Sequence, residues 1–169
     1  LFRMLEDIDR RELLLPHIQR PFVWDKDQMV RLFDSLMRNY PVQTLLFWRT
    51  KEAIKARRFM DCLDRDADLS SLYEAAKSVQ DVQKTFVLDG QQRLQTLYAI
   101  FHGSVIDPHG KELEAYMDVT QGSRPLNGTD LLYRIEFSDI PKALPYYRLR
   151  DLMERDAQRD AVSIAYDLI

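Results

Sequence analysis

The sequence is poor in the groups that usually announce a chemistry. It has one cysteine, Cys62, which excludes an intrachain disulfide and any zinc site built from several cysteines, and fits a reducing compartment. Its three histidines, His17, His102 and His109, have no spacing that makes a zinc cluster or a His-Asn-His nuclease. There is no P-loop, which speaks against a fast conventional NTPase. Positive charge is not in excess. The net charge is −3, so no global basic field holds nucleic acid, and contact with DNA has to be local or come through another part of a longer protein. No apolar stretch approaches the ~18 residues that cross a bilayer, and no signal-peptide pattern opens the chain. The expectation is a cytoplasmic protein without membrane contact.

What is present suits a soluble globular protein. The 169 residues are 46% hydrophobic and 30% charged, enough for a single domain with a real core over 1–169. Both ends read as cut, since the chain begins at Leu1 and stops at Asp167-Leu168-Ile169 inside a helical pattern. An N-terminal portion of a longer protein is therefore expected, with any nuclease lying outside it.

The organising stretch is Phe86-Val87-Leu88-Asp89-Gly90-Gln91-Gln92-Arg93. A short apolar run rich in strand formers reads as a buried strand. Gly90 then supplies a turn that favours positive φ. Leu94, Leu97, Tyr98 and Phe101 follow at i, i+3, i+4, i+7, the face of an amphipathic helix. Its exposed N-terminus carries Gln91, Gln92 and Arg93. The first helical turn leaves backbone N–H groups unpaired and carries partial positive charge, so an arginine there needs a negative neighbour. Two readings stay open: an Asp89–Arg93 ion pair that caps an ordinary helix, or a site for an external anion such as phosphate.

Around this centre the chain reads as follows. Residues 1–12 form a short helix. Leu13 to Trp24 is extended, with Leu15 and Arg20 pushed out of the α region by the prolines that follow them. Asp25 and Gln28 make a capping box for a helix that buries Met29, Leu32, Phe33, Leu36 and Met37 and is stopped by Asn39 and Pro41. A second strand spans Val42 to Trp48. Residues 51–84, charged and free of glycine and proline, read as a solvated insertion of two helices, about 51–62 and 69–80. His102-Gly103 and Pro108-His109-Gly110 flank a loop. Strands over Leu113–Val119 and Leu131–Phe137 pair as an antiparallel hairpin, and the pattern is helical from Tyr147 onward.

A second polar stretch, Gln19-Arg20-Pro21-Phe22-Val23-Trp24, is more specific than a core strand requires. Phe22 and Trp24 suit a core. Arg20 suits either a carboxylate partner or a phosphate, which its forked guanidinium fits.

In this order, the Gln-Arg-Pro-aromatic-x-Trp segment, a helix ending in Tyr-Pro, a Leu-Leu-Phe-Trp strand and Val-Leu-Asp-Gly-Gln-Gln-Arg-Leu-x-Thr-Leu resemble the N-terminal domain of the GmrSD-type modification-dependent restriction proteins. The resemblance covers residues 13–48 and 86–101 clearly and 113–153 more weakly; 51–84 match nothing. It implies an α+β fold of the ParB/sulfiredoxin type, a small mixed sheet flanked by helices. It further implies a nucleotide-binding domain that hydrolyses NTPs. Asp89, Gln91, Gln92 and Arg93 would be catalytic, and Gln19, Arg20, Gly90, Gln91 and Arg93 would hold phosphate. Mg²⁺ would arrive with the NTP and meet Asp89, because one carboxylate rarely makes a dedicated site. DNA would be reached only through the full-length protein, and association of identical copies is left open. The alternative is a nucleotide- or DNA-sensing module without turnover, its nuclease in a C-terminal domain. Sulfiredoxin-type chemistry is excluded, since the motif has no cysteine and Cys62 lies apart from it.

Overall fold

The computed structural model of the chain describes residues 1–74, 83–126 and 128–154. Four helices fall among them: α1 (Phe2–Asp9), α2 (Lys26–Met37), α3 (Gln91–Phe101) and α4 (Asp151–Glu154). The strands are short: β1 (Leu13–Pro16), β2 (Leu46–Thr50), β3 (Ala56–Arg57), β4 (Cys62–Leu63), β5 (Tyr73–Glu74), β6 (Lys84–Asp89), β7 (Ser104–Ile106), β8 (Glu112–Asp118), β9 (Ile135–Ser138) and β10 (Tyr146–Arg148). The fold is α+β, with small mixed sheets and helices against them, as the sequence suggests.

One sheet runs β2-β6-β1-β3-β5, with β1 and β6 parallel and its other pairs antiparallel. The other runs β10-β8-β7-β4, and β9 also pairs with β8. Helix α3 packs against α1, α2 and α4 and against β4, β7 and β8. This explains a departure from expectation. The predicted apolar face of Leu94, Leu97, Tyr98 and Phe101 is buried, and so is every other residue of α3, Gln91, Gln92 and Arg93 included. A helix surrounded on all sides has no wet face, and its polar side chains must find partners inside the protein.

Helix α2 begins as read. The Asp25 carboxylate accepts from Gln28 N–H while the Gln28 side chain accepts from Asp25 N–H. Met29, Leu32 and Phe33 are buried and Leu36 is half-buried, but Met37 is 42% exposed at the fraying end. Asp34, on the same helix, is buried and accepts the backbone N–H groups of Leu132 and Tyr133. Those two groups are thereby drawn away from a strand ladder, so the last strand expected from Leu131 begins at Ile135. The hairpin itself forms as expected, with Ala115 opposite Phe137.

The second strand is Leu46–Thr50 rather than Val42–Trp48. The residues before it leave the sheet because carbonyls in 42–44 turn toward Arg93. The helical insertion expected over 51–84 is not found where it is described. Residues 56–57 are β3 and pair with β1, while 62–63 are β4 and pair with β7. Residues 69–72 make a 3-10 turn that leads into β5; residues 75–80 lie outside the described residues. Alanine and charge suggested helix, but tertiary pairing decided the conformation. The segment is woven into both sheets. Likewise the loop expected after His102 contains β7, the partner of β4, and Tyr147 belongs to β10. The helical pattern at Val162, Ala165 and Tyr166 lies outside the described residues. No helix among the described residues is long and apolar enough to cross a membrane.

Candidate functional site

The turn between β6 and α3 depends on Gly90. Its φ is +87°, and a Cβ there would lie 2.2 Å from Leu45 Cδ2. A side chain at this position would be strained and would also collide with the packed chain. Before the turn, the Asp89 side chain is 69% exposed.

After it, Arg93 turns inward. Its guanidinium donates to Val42 O and to Thr44 O, the latter at 2.9 Å, and meets Asp89 Oδ2 at 3.4 Å. The arginine at the helix N-terminus is thus balanced mainly by two carbonyl dipoles. The Asp89 pair is closed but contributes little, because that carboxylate is largely in water.

The glutamines do similar work. Gln91 Nε2 donates to Arg20 O at 3.2 Å. Gln92 donates to Pro21 O at 3.0 Å and accepts from Val23 N–H at 2.9 Å. From the other side, Gln19 Nε2 donates to Leu88 O at 3.0 Å. The two polar stretches, some seventy residues apart in the chain, are therefore sewn together along one seam: residues 19–23 form a strap over the β6 turn and the first turn of α3. The helix start is covered rather than exposed, because the amides that were expected to face a ligand are engaged with the strap. Along the seam the groups left to solvent are the exposed Arg20 and the Asp89 carboxylate.

Two residues here escaped sequence reading. Gln95, one turn further along α3, clamps Met60 through both its N–H and its C=O, each at 2.9 Å. Its i+3 and i+4 spacing from Gln92 and Gln91 was the available signal. Arg57 is buried beside the glutamines, and its Nη2 reaches Arg20 O at 3.4 Å. Nothing in a two-residue strand inside a charged segment marked it.

Beyond the strap lies a groove of about 600 Å³ lined by Phe22, Val23, Trp24, Lys26, Arg65 and Asp107, among others. Its volume falls within the range of small-molecule sites, roughly 300–1,000 Å³. Phe22 is buried and Trp24 half-buried, as their core assignment anticipated, yet both contribute to this wall. By contrast, the void against Gln91, Gln92 and Arg57 is about 10 Å³, room for about one water.

A resident metal does not fit. Asp89 is the sole carboxylate at the turn, and among the described residues no group of three or more histidine, cysteine, aspartate or glutamate side chains is placed to hold an ion. The histidines stand apart from the seam or pack locally. His17 lies against Tyr73, with ring centroids 4.4 Å apart, and His102 stacks on Tyr98 at 5.2 Å. Burial lowers the His102 pKa, and the nearby Arg150 charge adds to this against the opposite pull of Asp9, Glu6 and Asp61. Burial also raises the Cys62 pKa, which disfavours the thiolate form.

The chain is thus an α+β domain whose Asp-Gly-Gln-Gln-Arg turn is covered by a Gln-Arg-Pro-aromatic strap. A family model of the GmrSD restriction endonuclease, N-terminal domain, matches residues 1–165, and the chain belongs to that family. Comparison with curated proteins gave no match.

Proposed function

We propose that this domain is the nucleoside-triphosphate-binding regulatory module of a DNA restriction protein, with the nucleotide bound at the seam between the 19–23 strap and the Asp89–Arg93 turn. The observation that carries the reading is the seam itself. Gln19 on Leu88 O and Gln91 on Arg20 O bring together the two stretches that sequence alone singled out, and the groups they leave outward are a guanidinium and a carboxylate. A guanidinium beside a helix start suits phosphate. The strap joins this point to the groove, since Phe22, Val23 and Trp24 wall the one and Gln19 and Arg20 edge the other. An apolar and aromatic wall next to a phosphate point matches a nucleoside and its phosphate chain. Arg20 would neutralise phosphate charge, and Asp89 would face the Mg²⁺ that the nucleotide carries.

Hydrolysis is a separate matter. Gln91 and Gln92 spend their side chains on strap backbone groups, and Arg93 spends its own on the Val42 and Thr44 carbonyls. A catalytic role for the glutamines therefore requires the strap to open, and one for Arg93 requires the 42–44 segment to release it. This favours binding over turnover in the closed form, and it suits a sensor that couples nucleotide occupancy to a nuclease elsewhere in the full protein. The closed Asp89–Arg93 contact and the one-water void favour a second reading, a purely structural turn. Titration of the chain with Mg²⁺-nucleotides separates the two, since a structural turn binds none.

A further inference from the structure

Arg57 is not explained by the seam. It stands on β3, opposite Leu15 on β1 and opposite Tyr73 on β5, and only 2% of it is exposed. A guanidinium keeps its charge inside a protein. Burial therefore removes solvation that a carboxylate normally replaces, and no carboxylate among the described residues forms an ion pair with it. Desolvation accordingly lowers its pKa, opposed by Tyr73. Its Nε has no acceptor, and Gln91 Oε1, buried on the same void, has no donor. One water would satisfy both atoms and leave the charge uncompensated.

The hydrogen bonds it does share point to what is missing. Arg57 Nη2 and Gln91 Nε2 converge on a single acceptor, the Arg20 carbonyl, at 3.4 and 3.2 Å. Two donors of this kind aimed at one oxygen form a cradle for a phosphate oxygen. The carbonyl filling it belongs to a strap whose Arg20, Pro21 and Val23 are exposed, so groups released by its movement would be taken up by water.

We propose that Arg57 is the phosphate-binding cation of the nucleotide site, and that a phosphoryl oxygen displaces Arg20 O from Arg57 and Gln91 as residues 20–23 shift outward. This rests on the nucleotide reading of the seam. It moves the principal positive charge from the outer Arg20 to the inner Arg57 and makes the strap the element that reports occupancy.

The test uses inorganic tripolyphosphate as the probe on the full 169-residue chain, with an Arg57→Met variant beside it. The expected result is saturable binding by the unaltered chain and at least a tenfold loss in the variant, with a melting temperature no lower than that of the parent. Replacing an uncompensated buried charge with apolar volume is neutral or stabilising, whereas losing a structural arginine lowers stability. A variant that melts lower and binds as tightly overturns the assignment of Arg57 and leaves the nucleotide reading standing. If the unaltered chain binds neither tripolyphosphate nor any Mg²⁺-nucleotide, the nucleotide reading fails and takes this one with it. Hydrogen exchange on the unaltered chain does not depend on the variant folding. Saturating tripolyphosphate should speed exchange at Val23 N–H as its bond to Gln92 opens, and unchanged exchange there overturns the displacement.

Discussion

Gln95 and Gln92 use the same clamp at two depths, and the difference can be measured. Gln95 holds Met60 through N–H and C=O inside the core, both residues being buried. Gln92 holds Pro21 O and Val23 N–H, which belong to exposed residues. Methionine at either position keeps length, approximate volume and helix propensity but removes both hydrogen bonds. At Met60 the abandoned groups stay buried, and each unsatisfied group costs about 1–3 kcal/mol, so Gln95→Met should lose about 4 kcal/mol. At the strap water replaces the lost partners, and Gln92→Met should lose about 1 kcal/mol, the net value of ordinary hydrogen bonds in solvent reach. For a chain of this size each kcal/mol moves the melting temperature by about 2–4 °C, so the two variants should separate by about 6–12 °C. Urea unfolding followed by circular dichroism gives the free energies directly, with unchanged m-values as the check that the unfolded state is the same. Equal losses in the two variants, or a Gln95→Met within about 1 kcal/mol of the parent, would refute the view that these glutamines act by satisfying backbone groups according to depth.

Gly103→Ala should cost about 3 kcal/mol, since overpacking against backbone is not relieved by a rotamer change. The new Cβ would lie 1.8 Å from Asp61 O, the carbonyl that accepts Ser104 N–H beside the β4–β7 pair. A melt indistinguishable from the parent refutes this. His102 should make stability fall on acidification. Its folded pKa lies below the ordinary 6.5, so as pH falls through that value the unfolded chain takes up the proton first, and stability drops until the lower folded value is passed. Between about pH 7 and 5.5 the parent should therefore lose more stability than His102→Asn, and parallel pH profiles would count against it.

Local elements with their own chemistry were legible. The Asp25–Gln28 capping box and the Gly90 turn appear where the residues place them, because each is decided by near neighbours, and β8 forms close to its expected span although Tyr116 within it is buried. Residues 51–63 misled for the opposite reason. Ala56 and Arg57 carry no strand signal, and only the free edge of β1 makes them one. Tertiary contacts also shortened β2 and β9, where Arg93 and Asp34 claim backbone groups that would otherwise join a ladder. At the seam, the two stretches singled out in the sequence do meet, but their exposure was not legible. Gln91, Gln92 and Arg93 look like ligand-facing groups on an amphipathic helix, yet α3 is buried all round and its polar residues are consumed by loops. Arg57 was invisible, since an arginine in a charged segment is ordinarily a solvated one.

The central claim is that the seam binds a nucleoside triphosphate, and calorimetric titration tests it most directly. Mg²⁺ complexes of ATP, GTP, CTP and UTP are titrated in turn into the chain and into Arg20→Ala, whose exposed side chain makes no hydrogen bond that the fold needs. The account expects saturable binding of at least one nucleotide, weakened in Arg20→Ala without a change in melting temperature. No saturable heat from any of the four at millimolar ligand would contradict it.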